Sequence, residues 1–262
     1  MEKNLTPKLT VVMPVYNREF CVQNAIISII NQTFTDWELI VVDDGSTDKT
    51  EQVIKMFGDS RIFHYKIPHI GFISKVRNFG NQRARGEWIV VQDSDDISFS
   101  NRLEEINKFA NTDCDVIYHD INTRFYDTEF QATILNLKKI GEYDKKRILH
   151  EQYIPGQIAY RRDIILKIPY DERITVCDDF QILIELTLNN CRFKYIDQCL
   201  YEYTHSRGDS ANVLGEIDGR RFEDTRVIIS ILKEKYNLAA VGELKKWETM
   251  TGAIIKQQYV TK

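Results

Sequence analysis

Residues 38–44, ELIVVDD, and residues 87–96, EWIVVQDSDD, share one plan: an apolar run that stops abruptly at carboxylates. A run of Leu, Ile and Val without polar alternation is expected of a strand covered on both faces, as in a parallel sheet packed between helices. Asp93, Asp95 and Asp96 then place three carboxylates within four positions, where they repel one another. Such a turn is either a solvated loop or the seat of something positive. The surrounding chain decides between the two.

Working outward, strand-like runs alternate with helical patterns. LTVVMPV (9–15) precedes a helix whose apolar positions Phe20, Val22, Ala25, Ile26, Ile29 and Ile30 recur every three or four residues. After ELIVVDD comes GSTDKTEQVIKMF (45–57), a turn and a helix start in which Asp48 and Glu51 stand like a capping pair. RIFHY (61–65) is expected as a third strand, FISKVRNFGNQRA (72–84) as a third helix and EWIVVQD (87–93) as a fourth strand. Residues 101–110 then read as helix and DVIYHDI (115–121) as strand. The alternation implies an α/β fold with a doubly wound, mostly parallel sheet flanked by helices. Ligands bind beyond the carboxyl ends of the strands in such sheets. Pro14-Val15-Tyr16-Asn17, Asp43-Asp44 and Asp93 through Asp96 should therefore line one crevice.

After about residue 122 the alternation weakens. QATILNL, QIAYRRDIILKI, RFKYID and CLYEYTH read as shorter strands or strand–helix pieces, with a helix over 179–189. From Glu216 the pattern is helical again, in RRFEDTRVIISILKEKY and VGELKKWETMTGAIIKQQYV. The expected organisation is one catalytic unit over 1–215, with a nucleotide-binding half over 8–122 and an acceptor half over 123–215. A helical C-terminal extension over 216–262 follows. That tail mixes basic and apolar residues, which suits packing on the domain, a homodimer through the helices or a peripheral membrane face. Packing or self-association is favoured, because no sustained basic face emerges.

Composition narrows the function classes. Of 262 residues, 43% are hydrophobic and 28% charged, as in an ordinary globular protein. A formal net charge of −4 argues against bulk electrostatic binding to nucleic acid or anionic membrane. No stretch approaches ~20 consecutive apolar residues, and MEKNLTPKL lacks the apolar core of a signal peptide. Five cysteines without a CxxC pair suit reduced thiols buried in the core of a cytoplasmic protein.

Carboxylates that no Lys or Arg in their own turn relieves invite a divalent cation, and hard oxygen ligands of this kind suit Mg2+ or Mn2+. Dinucleotide binding fails at the turn after the first strand. PVYNREF has none of the glycines that let a backbone approach a pyrophosphate, and the chain has no GxxxxGK[ST] loop. Phosphate neutralisation therefore falls to a metal and to basic side chains.

With TVVMPVYN, AIISIINQTFTDWELIVVDDGSTDKT and RNFGNQRARGEWIVVQDSDD in view, the chain resembles the family 2 glycosyltransferases, enzymes of the GT-A fold that use nucleotide-diphospho sugars. The resemblance is close over 8–110 and looser to about 210. It implies that Pro14 and Tyr16 pack around the nucleobase and that Asp44 accepts from an imide N–H such as uracil N3. Asp43 would hold the turn. Arg77 and Asn78 match the helix facing the nucleotide, with Arg77 as a diphosphate contact. Asp95 and Asp96 are implied as metal ligands, Asp95 also as a nucleotide contact, and Asp93 as their support.

The same resemblance makes Asp179, in VCDDFQILIEL, the general base, with Asp178 standing where the family usually has Glu. Without it, Asp178-Asp179 reads as a helix N-cap. His205 is implied as a metal or diphosphate contact, and Arg207 as a neutraliser of the departing phosphates. Thr204 and the spacing to Ser210 depart from the family pattern there. Bulky His69-Ile70-Gly71-Phe72-Ile73 stands where members often carry small residues, so the donor sugar cannot be borrowed from relatives.

The implied reaction is displacement with inversion, assisted by Mn2+ or Mg2+, from a nucleotide sugar to a glycan or lipid-linked saccharide. A UDP-sugar is favoured. The implied setting is the cytoplasm, with a peripheral station at the inner face of a membrane as its variant. Two rivals stand beside this reading: a sugar-nucleotide-forming nucleotidyltransferase and a non-catalytic nucleotide-sugar-binding module.

Overall fold

The structure is a computed structural model that describes residues 6–127, 132–149, 152–204 and 220–236. Strands β1 (Leu9–Val15), β2 (Trp37–Asp43), β3 (Ile62–Lys66) and β4 (Trp88–Val91) pair in parallel in the order β3-β2-β1-β4. Helices α1 (Val22–Ile30), α2 (Thr50–Lys55) and α3 (Ile73–Arg83) make the crossovers. Successive side chains of a strand point to opposite faces, and both faces are filled. Val12, Ile40 and Val91 join Val76 of α3 in one core, whereas Val11, Leu39 and Val90 join Ile26 and Ile29 of α1 in another. This double burial is why the strands read as unbroken apolar runs.

The remaining elements are β5 (Ile97–Ser98), α4 (Arg102–Ala110), β6 (Val116–Asp127), β7 (Ala132–Lys138), α5 (Lys145–Ile148), β8 (Ala159–Arg161), α6 (Arg162–Ile165), α7 (Asp178–Leu188), β9 (Phe193–Thr204) and α8 (Arg220–Tyr236). They continue the sheet past β4 as β8-β6-β9-β5, with β7 on β6. The parallel alternation ends at β4, because β8 enters antiparallel to both β4 and β6. The overall sheet is thus mixed, with its parallel half where the nucleotide-binding start was expected.

Two local expectations need correction. Residues 192–197 and 199–205 were expected as separate strands, but 193–204 form one, β9, parallel to β6. Register shifts around Asp120 absorb the extra residues between Ile196 and Tyr201. The helix after Gly45 starts only at Thr50, and the capping pair does not form. Asp48 accepts from Thr50 N and Glu19 N, while Glu51 turns to Lys55 and Lys66. The tail helix α8 is part of the domain packing: Ile228 and Ile231 sit with Val176, Phe180 and Ile184 around α7. The second helical pattern of the tail, over 241–260, lies outside the described residues, as does the rest of 237–262.

None of the five cysteines is in a disulfide, and four of them are buried. Among the described residues no helix is long and apolar enough to cross a membrane.

Candidate active site

The carboxyl ends of β1, β2 and β4 do converge. Asn17, just past β1, has a positive φ of 49°, a conformation Asn tolerates better than most residues. Its backbone N–H donates to Ser46 Oγ at 2.9 Å and its side-chain oxygen accepts from Thr47 N at 2.9 Å, tying the first turn to the second. Asp43 accepts from Ser46 N at 2.7 Å and so closes the turn after β2. Gly45 is required there: its φ is +72°, and a Cβ would lie 2.7 Å from His69 N.

Asp44 and Tyr16 meet the same short loop. Asp44 accepts from Ile70 N at 2.7 Å and Gly71 N at 2.9 Å, and His69 Nδ1 lies 2.9 Å from its backbone and side-chain oxygens. The His69 ring stacks on Tyr16, with centroids 4.2 Å apart and planes 17° from parallel. Pro14 is buried at the end of β1, opposite Val42 of β2. The bulky segment noted in the sequence thus builds the corner that the resemblance assigns to the nucleobase.

The acidic turn resolves its own repulsion in three ways. Asp93 accepts from Arg77 Nη2 at 2.9 Å and Gln157 Nε2 at 2.7 Å. Asp95 has Arg18 Nε 3.5 Å from Oδ2, and its side chain is 18% exposed. Asp96 is 0% exposed and accepts from Thr204 N at 2.7 Å and Tyr201 Oη at 3.0 Å. Burial, reinforced by Asp93 and Asp95, pushes the Asp96 carboxyl well above the ordinary range. The two carboxylates expected as metal ligands therefore differ: Asp95 is partly exposed, whereas Asp96 is fully buried and bonded to β9 through both oxygens.

Beneath the turn lies Arg102, also 0% exposed, with all five N–H donors engaged. Nε donates to His119 Nε2; Nη1 donates to Gln92 Oε1 and Ser98 Oγ; Nη2 donates to the carbonyls of Val91 and Gln157. Gln92 in turn donates to the carbonyls of Asp93 and Asp96. The backbone of the acidic turn is held from below by this network.

The second carboxylate pair stands at the start of α7 and is joined to the first. Arg77 Nε donates to Asp178 Oδ2 at 2.7 Å while Nη2 holds Asp93. The guanidinium is buried, and its Nη1 has no hydrogen-bond partner among the described residues. Arg77 therefore stands as a strut between the two acidic stations. Its neighbour Asn78 holds the backbone of Tyr170 through two bonds. Burial and the adjacent Asp179 push the Asp178 carboxyl up against the pull of Arg77.

Asp179 accepts from Gln152 Nε2 at 2.5 Å and from Phe180 N at 2.8 Å. Gly156 makes room for it, since a Cβ there would come within 2.7 Å of Asp179 Cβ. His205 and Arg207 lie outside the described residues.

A divalent ion can be weighed against these groups. Among the described residues no three His, Cys, Asp or Glu side chains gather as a ready cage. Asp95, partly exposed beside Asp93, fits an ion of the magnesium type, which takes one or two protein carboxylates and completes its shell from phosphates and water. Arg18, Gln152, Gln157, Arg102 and Tyr201 were not anticipated. All but Arg102 are distant in sequence from the carboxylate or turn they serve, and none carries a local signal.

Fold and acidic stations together define a GT-A type transferase. The chain belongs to glycosyl transferase family 2, whose family model matches residues 10–168. It is 30% identical over 214 residues to an uncharacterized glycosyltransferase of Methanocaldococcus jannaschii, covering 75% of this chain and 70% of that protein. Over 96 residues it is 38% identical to the UDP-Glc:alpha-D-GlcNAc-diphosphoundecaprenol beta-1,3-glucosyltransferase WfgD of Escherichia coli, 37% of this chain and 38% of that one. Residues 1–349 of S. aureus TarS, solved in complex with UDP-GlcNAc, superpose with a TM-score of 0.71 at 22% identity, covering 86% of this chain and 66% of that one. The chain thus spans only part of these relatives' lengths, and the TarS likeness carries the fold alone.

Proposed function

We propose that the protein is an inverting glycosyltransferase that moves a sugar from a UDP-sugar to a hydroxyl of a saccharide or lipid-linked saccharide. The observation that carries this reading is the Asp93–Arg77–Asp178 bridge, which sets a donor-side acidic turn against a candidate base, Asp179, on one crevice. The names of WfgD and of the TarS complex support a UDP-sugar donor, and that of WfgD a lipid-diphosphate-linked acceptor. A lipid-linked acceptor would station the protein at a membrane face.

On this reading Tyr16 and Pro14 pack around the base and Asp44 accepts a hydrogen bond from its imide N–H. Asp95, with Asp93 beside it, would hold the divalent ion, which when bound supplies positive charge against the leaving diphosphate. Asp179 orients the acceptor hydroxyl and takes its proton as the oxygen attacks the anomeric carbon. His205 and Arg207 stand as further proposed diphosphate contacts, and Arg77 holds the two stations in register.

The test is calorimetric titration of UDP into the protein with and without Mn2+, repeated on Asp95→Ala. Metal-dependent binding by the wild type, weakened at least tenfold in the variant, is the expected result. Binding of UDP that neither Mn2+ nor Asp95→Ala alters would refute the metal assignment. Failure of UDP, dTDP and GDP alike to bind would refute the donor reading.

A further inference from the structure

The loop that delivers Asp179 is held from outside. Helix α7 begins at Asp178, and Cys177 before it offers no capping side chain. Instead the carboxylate of Asp224, on α8 and 2% exposed, accepts from the backbone of three successive residues: Thr175 N at 3.0 Å, Val176 N at 2.6 Å and Cys177 N at 3.0 Å. Thr175 Oγ1 adds a bond at 3.0 Å. Successive N–H groups turned on one carboxylate fix a backbone closely, because each bond constrains a different peptide plane.

The helix carrying Asp224 is itself pinned along α7. Ile228 and Ile231 pack with Val176, Phe180 and Ile184, and at the far end Lys235 Nζ and Tyr236 Oη donate to the buried Glu185 at 2.8 and 3.1 Å. The held segment, 175–177, leads without interruption into Asp178, which meets Arg77, and into Asp179.

We propose that Asp224 is a positioning residue: through the backbone of 175–177 it sets the location of Asp179, which makes the C-terminal helix α8 a working part of the active site. This rests on the reading of Asp179 as the base. Misplacing a reacting group by about 1 Å can cost on the order of 100-fold in rate, so a small drift of this loop is enough to be seen in turnover.

The experiment uses the full chain and whichever UDP-, dTDP- or GDP-sugar the wild type turns over, reading nucleotide release, nucleotide affinity and thermal stability. Asp224→Asn, which keeps the shape but loses the charge, is expected to lower kcat by roughly 10- to 100-fold. Nucleotide Kd should stay within about twofold, because the nucleobase corner is untouched. The acidic limb of the kcat–pH profile should also move, because the surroundings of the base change. Asp224→Glu should recover part of the loss. Unchanged kcat and pH profile in Asp224→Asn, or a loss no greater than its unfolded fraction, would overturn the proposal. If Asp224→Asn does not fold, Thr175→Ala removes one of the bonds and should lower kcat several-fold at constant Kd; full activity there would overturn it equally. Asp179→Asn run in parallel separates the two failures, because retained turnover in that variant would sink the base assignment and not the role of Asp224 alone.

Discussion

Asp179→Asn should lower turnover by about 10²–10⁴-fold while leaving UDP affinity within a factor of about two. The carboxylate is placed by Gln152 and by its own helix start, beside a glycine that leaves it room. An amide fills the same space, and its single oxygen can still accept from Phe180 N while its NH2 meets Gln152 with that amide turned over, so folding should be little affected. What it cannot do is take the proton of an attacking hydroxyl. Nucleotide release with a sugar donor measures the loss, and calorimetry measures the retained binding.

The rival readings separate in the same experiment. A non-catalytic module would show no turnover for Asp179→Asn to remove. A nucleotidyltransferase would release pyrophosphate from a nucleoside triphosphate and a sugar phosphate, with little dependence on Asp179. Wild-type-like turnover by Asp179→Asn would rule out this residue as the base.

Arg102→Met should destabilise the protein by roughly 3–5 kcal/mol in denaturant unfolding, because it strands buried acceptors rather than removing a surface charge. The carbonyls of Val91 and Gln157 and the side chain of Gln92, all of buried residues, each lose a charged donor. Gln92 also ties down Asp93 and Asp96, so metal-dependent UDP binding should weaken even in the folded fraction. A loss below about 1 kcal/mol would show that the network is dispensable.

Acid should probe the same network. His119 accepts from Arg102 Nε, and burial, then the Arg102 charge, push its pKa down to about 3. Between that value and the ordinary imidazole pKa of about 6.5, the unfolded chain holds a proton that the folded chain refuses. The unfolded state then binds more protons, so this group's contribution to stability falls as pH drops from 6.5, by up to ~1.4 kcal/mol per pH unit. His119→Gln, which can still accept through its amide oxygen, should flatten that slope.

The sequence by itself determined the parallel half of the sheet and the class of the protein. LTVVMPV, ELIVVDD and EWIVVQD could be read because a strand buried on both faces has no polar residue to spare, and that constraint is written locally. The bond from Ser46 N to Asp43 is local in the same way, whereas Asn17 is held by Ser46 and Thr47 and Gly45 is confined by His69. Only the tertiary structure decided that β8 runs antiparallel beside β4, that 193–204 is one strand, and that the three carboxylates of the acidic turn have three different fates. Asp96 faces Tyr201 and Thr204 in full burial, Asp93 is partly open and faces Arg77 and Gln157, and Asp95 is partly open with Arg18 beside it. Those partners lie up to 108 residues away along the chain. A period of two or of 3.6 reports that a side chain is buried and is silent about what buries it. Hydrogen bonds and charge pairs between distant elements leave no local pattern, and so the struts of this site, Arg77, Arg102 and Asp224, emerged only once the chain was folded.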